Sequence, residues 1–318
     1  MKQIDKIMSS NIKIAFSLVL SMAYIFTCAI YSNNIQYIGD TLVYSDIYNS
    51  VDENYFIYGI EFIVPTAMYI LHSCGLYFHD FIFISLCLWT PIVFLATLMG
   101  LEKKYYYLLS LAIFLLTPYF FLNAIFLIRQ YYAALFFIYA LFIKNKKIYF
   151  ILLCAAIFSH ISAVIWVVLS LPLAYRIVKS KLILFLLLFI TICSYININI
   201  FSLLMDFIIE FSYYFDIDVL KKKTLFYRDR DISVYGGLPF YFLWFSIFCF
   251  LSSLYLITRK NIAPVNMRLY TIILLQSTLL ILFKDNIIFA NRIGFFVYYF
   301  SIPCAFFLSA HIIRYKII

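Results

Sequence analysis

The sequence predicts an all-α protein, a polytopic bundle of membrane-spanning helices, on three observations. Of its 318 residues 66% are hydrophobic and only 12% are charged, about half the charged share of a soluble domain. Apolar runs long enough to cross a bilayer recur along the chain. Lys and Arg collect at alternate ends of those runs, as cytoplasmic loops require. A transmembrane barrel is excluded, because it would show short alternating segments.

The first span is expected over 14–32, after Lys2, Lys6 and Lys13, which places the N-terminus in the cytoplasm. No small-residue cleavage site follows it, so it reads as retained. Residues 33–62 carry Asp40, Asp46, Asp52, Glu53 and Glu61 without a single Lys or Arg, and belong outside. The apolar stretch 63–78 looks like another span, but parity argues against it. If it crossed, Lys103 and Lys104 after the 81–100 span would face outward. Two juxtamembrane or re-entrant helices, about 41–52 and 59–76, are expected on the outer face instead, with Pro65 and Gly75 suiting irregular backbone.

The remaining spans are expected at about 105–123, 129–143, 148–159, 161–178, 182–204, 238–257, 268–284 and 288–311, making about ten with both termini inside. This arrangement puts sixteen of the 24 Lys and Arg and two of the 15 acids on the cytoplasmic face. The faces then carry +14 and −5, which accounts for the net charge of +9 by topology and removes the case for nucleic-acid binding. The outer segments are about 33–80 and 205–237. No repeat or linker divides the chain, so 1–318 reads as a single integral-membrane domain.

The stretch 122–147 is where chemistry enters. It is apolar except for Asn123, Arg129 and Gln130, then ends in Lys144, Lys146 and Lys147. An Arg at the centre of a span costs roughly 2.5–3.5 kcal/mol on insertion scales, so it snorkels, pairs or faces a water-filled site. The lysines mark the cytoplasmic end. Arg129 and Gln130 lie about 14 residues from them, roughly 20 Å at the helical rise, near the outer face. At the same depth stand Asp40 and Tyr44, Glu61, Ser159 and His160, and Asn291 and Arg292. Any one of these alone reads as a helix cap or a snorkelled charge. Two arginines, a histidine and carboxylates together suit a different purpose. Arginine forks grip phosphate or diphosphate without metal, and a His, Asp or Glu beside them serves as general base toward a hydroxyl. The 29 Tyr and 36 Phe offer faces for sugars, although aromatic belts occur in any membrane protein.

Other motifs carry less. Asp216-Ile217-Asp218 and Asp229-Arg230-Asp231 match the short acidic spacing of metal–nucleotide sites, but nucleotide sugars are cytosolic and this segment is outside. Lys221, Lys222 and Lys223 read as a solvated or headgroup-facing patch. His72, His79 and His311 have no ligand spacing, so no metal or other cofactor is expected. The seven cysteines sit in apolar runs without a paired spacing and read as small buried hydrophobes.

In its pattern of short motifs the chain resembles the EpsG family of bacterial polysaccharide-synthesis proteins, which includes O-antigen polymerases of the Wzy type. The residues that carry the resemblance are Gly39-Asp40 with Tyr44, Glu61, Ile128-Arg129-Gln130 with Ala133, Phe158-Ser159-His160 with Ser162-Ala163, and Asn291-Arg292 with Tyr298-Tyr299. One departure stands at Glu61, where the family has a glycine shortly after the acid and this chain has Gly59 before it. The resemblance implies a multi-pass enzyme of the bacterial inner membrane that makes O-antigen lipopolysaccharide or another exopolysaccharide. It would use an undecaprenyl-diphosphate-linked oligosaccharide as donor and another as acceptor, with a chain-length regulator as protein partner. On that reading His160, Asp40 and Arg129 are the catalytic candidates, with His160 or Asp40 as base. Arg292, Gln130, Tyr44, Glu61 and Asn291 bind substrate. The rival classes are a transporter or flippase of the lipid-linked glycan, which should carry charge along its path at mid-depth and at both faces, and a structural partner of the chain-length regulator.

Overall fold

A computed structural model describes residues 2–52, 57–89, 118–143, 145–196, 200–215, 224–225, 240–259 and 262–286 and, beyond these, 290, 297, 304–305, 307–309 and 311–313. Among the described residues every regular element is helical and no strand occurs. The chain forms two compact units, Met1–Val164 and Ile165–Ile318.

The first unit opens with α1 (Lys2–Asn33), α2 (Asp40–Asn49), α3 (Ile63–Ser73) and α4 (Phe78–Ile84), the last running into a π-helical turn, Ser85–Trp89. The second half of α1 has two faces. Leu18, Met22, Ile25 and Phe26 are exposed, whereas Tyr24, Cys28 and Ser32 are buried. The buried face packs on α4 and the π-turn, where the Tyr24 hydroxyl donates to the Leu86 carbonyl at 2.9 Å. A π-turn loosens the helical hydrogen-bond ladder, and further hydroxyls gather on it. Ser85 Oγ lies 2.7 Å from the Tyr132 hydroxyl, and the Tyr131 hydroxyl donates to the Ser85 carbonyl at 3.4 Å.

Helices α2 and α3 occupy the stretch where two surface helices are expected, each shorter than the sequence suggests. The eleven residues of α3 extend about 16 Å at the helical rise, half a bilayer core. The chain then turns by 120° into the helix Phe78–Cys87. Gly75, at φ +77°, makes that turn, and its N–H bonds the His72 carbonyl at 2.8 Å.

Next come α5 (Pro118–Phe126), α6 (Ile128–Phe142) and α7 (Lys146–Ser159). Between α5 and α6 the axis bends by 112° at Leu127, which leaves helical geometry at φ −122°, ψ 46°. Asn145 caps α7, accepting from the N–H groups of Lys147 and Ile148. Helices α6 and α7 pack against each other as a hairpin of fifteen and fourteen residues, so the end of α7 returns to the depth at which α6 begins. That geometry sets the site.

Helix α8 (Ala163–Leu169) carries the chain onward to α9 (Pro172–Val178), α10 (Lys181–Tyr195), α11 (Ile200–Tyr214), α12 (Phe240–Ile257) and α13 (Pro264–Leu282). Within the second unit α13 is central: it packs on α9, α10 and α12, with residues from Leu269 to Ile281 almost all buried. Helix α10 presents Leu182, Phe185, Leu186, Phe189 and Ile192 as an exposed apolar stripe.

Two expectations are corrected here. The stretch 161–178 is not one continuous helix but α8 and α9, because Pro172 has no N–H to continue the ladder and Ser170 Oγ donates back to the Val167 carbonyl at 2.7 Å. The span expected at 182–204 ends early, with α10 stopping at Tyr195 and α11 running from Ile200 to Tyr214. Among the described residues, α12 alone is long and apolar enough to cross a membrane by itself. Three bent pairs pass the same test if each is one span: α3 with Phe78–Cys87, α5 with α6, and α9 with α10, the last bent by 81°. Most of the stretches 81–100 and 288–311 lies outside the described residues.

Candidate functional site

Arg129 is the second residue of α6, just past the bend at Leu127, and three neighbours fix its guanidinium. Nη1 donates to Glu61 Oε2 at 2.6 Å. Nε donates to the Tyr44 hydroxyl at 3.4 Å. The Tyr58 ring lies under the guanidinium carbon, 3.6 Å from its centroid, a close cation–π contact. The Arg129 side chain keeps 22% of its surface exposed against 9% for Glu61, so the pair is open on the arginine's side. Among the described residues no hydrogen bond engages Nη2.

Glu61 ties the turn after α7 to this group. Its Oε1 accepts from the Ile161 N–H at 2.9 Å. Both carboxylate oxygens are therefore committed, one to Arg129 and one to the backbone beside His160. Local sequence explains how Tyr58 and Glu61 reach the same guanidinium. The Glu61 N–H bonds the Tyr58 carbonyl at 3.3 Å, closing a turn whose second residue, Gly59, sits at φ +61°. A left-handed position there favours glycine. Gly59 is the residue this turn requires.

His160 ends α7 in extended backbone, φ −159°, ψ 130°. Its Nδ1 accepts from the Ser162 N–H at 3.2 Å and lies 2.7 Å from Ser162 Oγ. These bonds assign the proton of the neutral ring to Nε2. The neutral imidazole thus carries its proton at Nε2, and its lone pair is spent on Ser162. Ser159 is fully buried and donates to the Ala155 carbonyl at 2.7 Å, an internal helix contact.

Asp40 opens α2 and is exposed; Tyr44, one turn later, is buried. Asp40 acts on the Tyr58 hydroxyl. Burial is the largest influence and pushes that hydroxyl up, Arg129 pulls it down, and Tyr44, Asp40 and Glu61 add to the rise. Tyr58 therefore stays a neutral phenol throughout the physiological range. Gln130 is 2% exposed, with its Oε1 lacking a hydrogen-bond partner among the described residues.

Asp40, Tyr44, Glu61, Arg129 and His160, five candidates read from the sequence, thus belong to one neighbourhood of the first unit. Asn291 and Arg292 lie outside the described residues, as do Tyr298, Tyr299, both acidic doublets and Lys221–Lys223. Sequence reasoning missed Tyr58 and the Ile161 N–H. Tyr58 is one of 29 tyrosines and nothing in its residue type marks it, and the backbone donor left no signal either. Among the described residues no three His, Cys, Asp or Glu side chains gather to hold a metal.

The EpsG family model covers residues 17–318. No curated protein and no solved structure matches the chain.

Proposed function

The chain belongs to the EpsG family, and with it to the membrane proteins of polysaccharide synthesis; from that premise we propose that it is a repeat-unit polymerase. It is a metal-independent glycosyltransferase, acting at the outer face of the bacterial inner membrane on O-antigen or another exopolysaccharide. It moves a glycan from an undecaprenyl-diphosphate donor onto the sugar of a second lipid-linked unit. The observation that carries this reading is Arg129, fixed on Nε and Nη1 beside the Glu61 carboxylate, with part of its side chain still exposed.

In the reaction an acceptor hydroxyl attacks the anomeric carbon of the donor. The C–O bond to the diphosphate breaks and undecaprenyl diphosphate leaves with the electron pair. Asp40 suits the base, because it is exposed while both Glu61 oxygens are engaged. His160, whose Nδ1 already accepts from Ser162, suits a donor at Nε2 toward the leaving phosphate or a sugar oxygen. The open edge of Arg129 meets the diphosphate charge as it develops, a preorganised contact of the kind that lowers such barriers most. Arg292 is assigned to the same charge from sequence alone. Gln130, Tyr44 and Asn291 orient sugars, and Glu61 holds Arg129 in place. A chain-length regulator would act on this enzyme as partner.

Complementation tests the reading. In a strain lacking its polymerase, the gene should restore a ladder of polysaccharide lengths. Export of single repeats without extension would indicate a flippase instead.

A further inference from the structure

A groove of about 430 Å³ opens between the end of α1, the segment leading into α2, and α5, within the size range of ligand clefts, about 300–1,000 Å³. Its walls include Ile30, Tyr31, Leu122, Ile125, Phe126 and Thr41, and the Tyr31 ring stacks on Phe121 at 5.0 Å, which stiffens one side. Two of the polar groups at its rim are already spent. Asn34 Nδ2 donates to the Ile30 carbonyl at 2.8 Å, and Thr41 Oγ1 lies 2.6 Å from the Gln36 carbonyl and accepts from the Ile38 N–H. Among the described residues no Lys, Arg, Asp or Glu lines the groove, so a charged group would find no counter-charge there. Hydrocarbon would lose nothing.

The groove also leads somewhere. Phe126 is the last residue of α5, three positions before Arg129, and Thr41 stands one helical turn before Tyr44, the partner of Arg129 Nε. At the other end Ile30 is half exposed, and the exposed stripe Met22, Ile25 and Phe26 continues along α1. A molecule with its anionic head at Arg129 would therefore lay its tail in this groove and leave sideways along α1.

We infer that the groove holds the proximal isoprene units of a polyprenyl diphosphate whose head is at Arg129. The inference rests on the reading of Arg129 as a diphosphate site and adds where the chain lies. A groove of this volume takes one methyl-branched prenyl chain better than the paired chains of a phospholipid.

The test uses the full-length protein in nanodiscs with a polyprenyl diphosphate that carries a photoreactive diazirine near its first isoprene units. Crosslinked peptides are mapped by mass spectrometry. The expected result is labelling within residues 30–36 and 122–126, competed by unlabelled polyprenyl diphosphate and not by phosphatidylglycerol. Leu122→Trp, which fills the groove, should lower labelling of 30–36 about tenfold. Should that variant fail to insert, the competition pattern of the unaltered chain decides alone. Equal competition by phosphatidylglycerol would make this an ordinary lipid contact and overturn the proposal. Labelling elsewhere that still disappears in Arg129→Ala would overturn the groove while leaving the head site standing. Groove labelling that survives Arg129→Ala undiminished would break the link between tail and head. Absence of any competed labelling would overturn the assignment of the chain.

Discussion

Two hydrogen bonds and a ring under its face orient the Arg129 guanidinium before any ligand arrives. The three contacts differ in what they contribute. Glu61 balances the charge, and because the pair is only part-buried, removing one member costs less than the about 3–5 kcal/mol of a fully buried pair. Tyr58 contributes roughly 0.5–2 kcal/mol through its ring, and that contribution does not need its hydroxyl. Tyr58→Phe should therefore retain most activity, while Tyr58→Leu should lower polymerisation about tenfold at equal membrane level, measured as polymer formed per immunoblotted protein. Equal loss in both variants would instead assign the role to the hydroxyl. Asp40 permits a sharper test, since it is exposed and its loss leaves no buried charge unpaired. Asp40→Asn should insert normally yet nearly abolish chain extension. Normal polysaccharide ladders from this variant would remove Asp40 from the site.

At the scale of elements, the turn Tyr58–Glu61 and the hairpin α6–α7 bring distant residues together. Gly59 occupies a left-handed position where an added Cβ would meet nothing within 4 Å, so only the backbone conformation opposes a side chain. Gly59→Ala should cost about 1–2 kcal/mol and shift Tyr58 and Glu61 relative to Arg129. The expected outcome is a fall in polymerisation with modest loss of thermal stability in detergent; unchanged activity would show that the turn tolerates alanine. Much of this arrangement was legible in the sequence for an energetic reason. Arg129, Glu61 and His160 stand out because ionisable groups within or beside apolar runs are expensive. Tyr58 did not stand out, since one tyrosine among 29 Tyr and 36 Phe carries no signal of its own. The break of 161–178 was readable at Pro172, yet the run is apolar on both sides and hydropathy joins it. The Ile161 N–H is backbone, and no residue type marks it.

The whole molecule is constrained by charge. The distribution of Lys and Arg predicts about ten crossings with both termini inside, and the 120° turn between α3 and α4 supplies a physical way for 63–78 to remain on one side. A topology reporter fused after Tyr77 should read the outer compartment, as should one after Gly237, while one after Lys147 should read cytoplasm. A cytoplasmic signal after Tyr77 would contradict that arrangement. All the proposed chemistry depends on the outer location of α2, the Tyr58–Glu61 turn and the start of α6, because the lipid-linked glycan is taken to be presented there. The most direct measurement is polymer length made by Arg129→Lys in cells, normalised to membrane protein by immunoblot, with the lipid-linked intermediates extracted in parallel. Lysine keeps the charge but loses the fork, the bond from Nε to Tyr44 and the flat contact with Tyr58. The account predicts normal insertion, loss of most polymer and accumulation of single lipid-linked repeats. Wild-type ladders from Arg129→Lys would contradict it, since a residue that merely snorkels to the interface is replaced by lysine without loss.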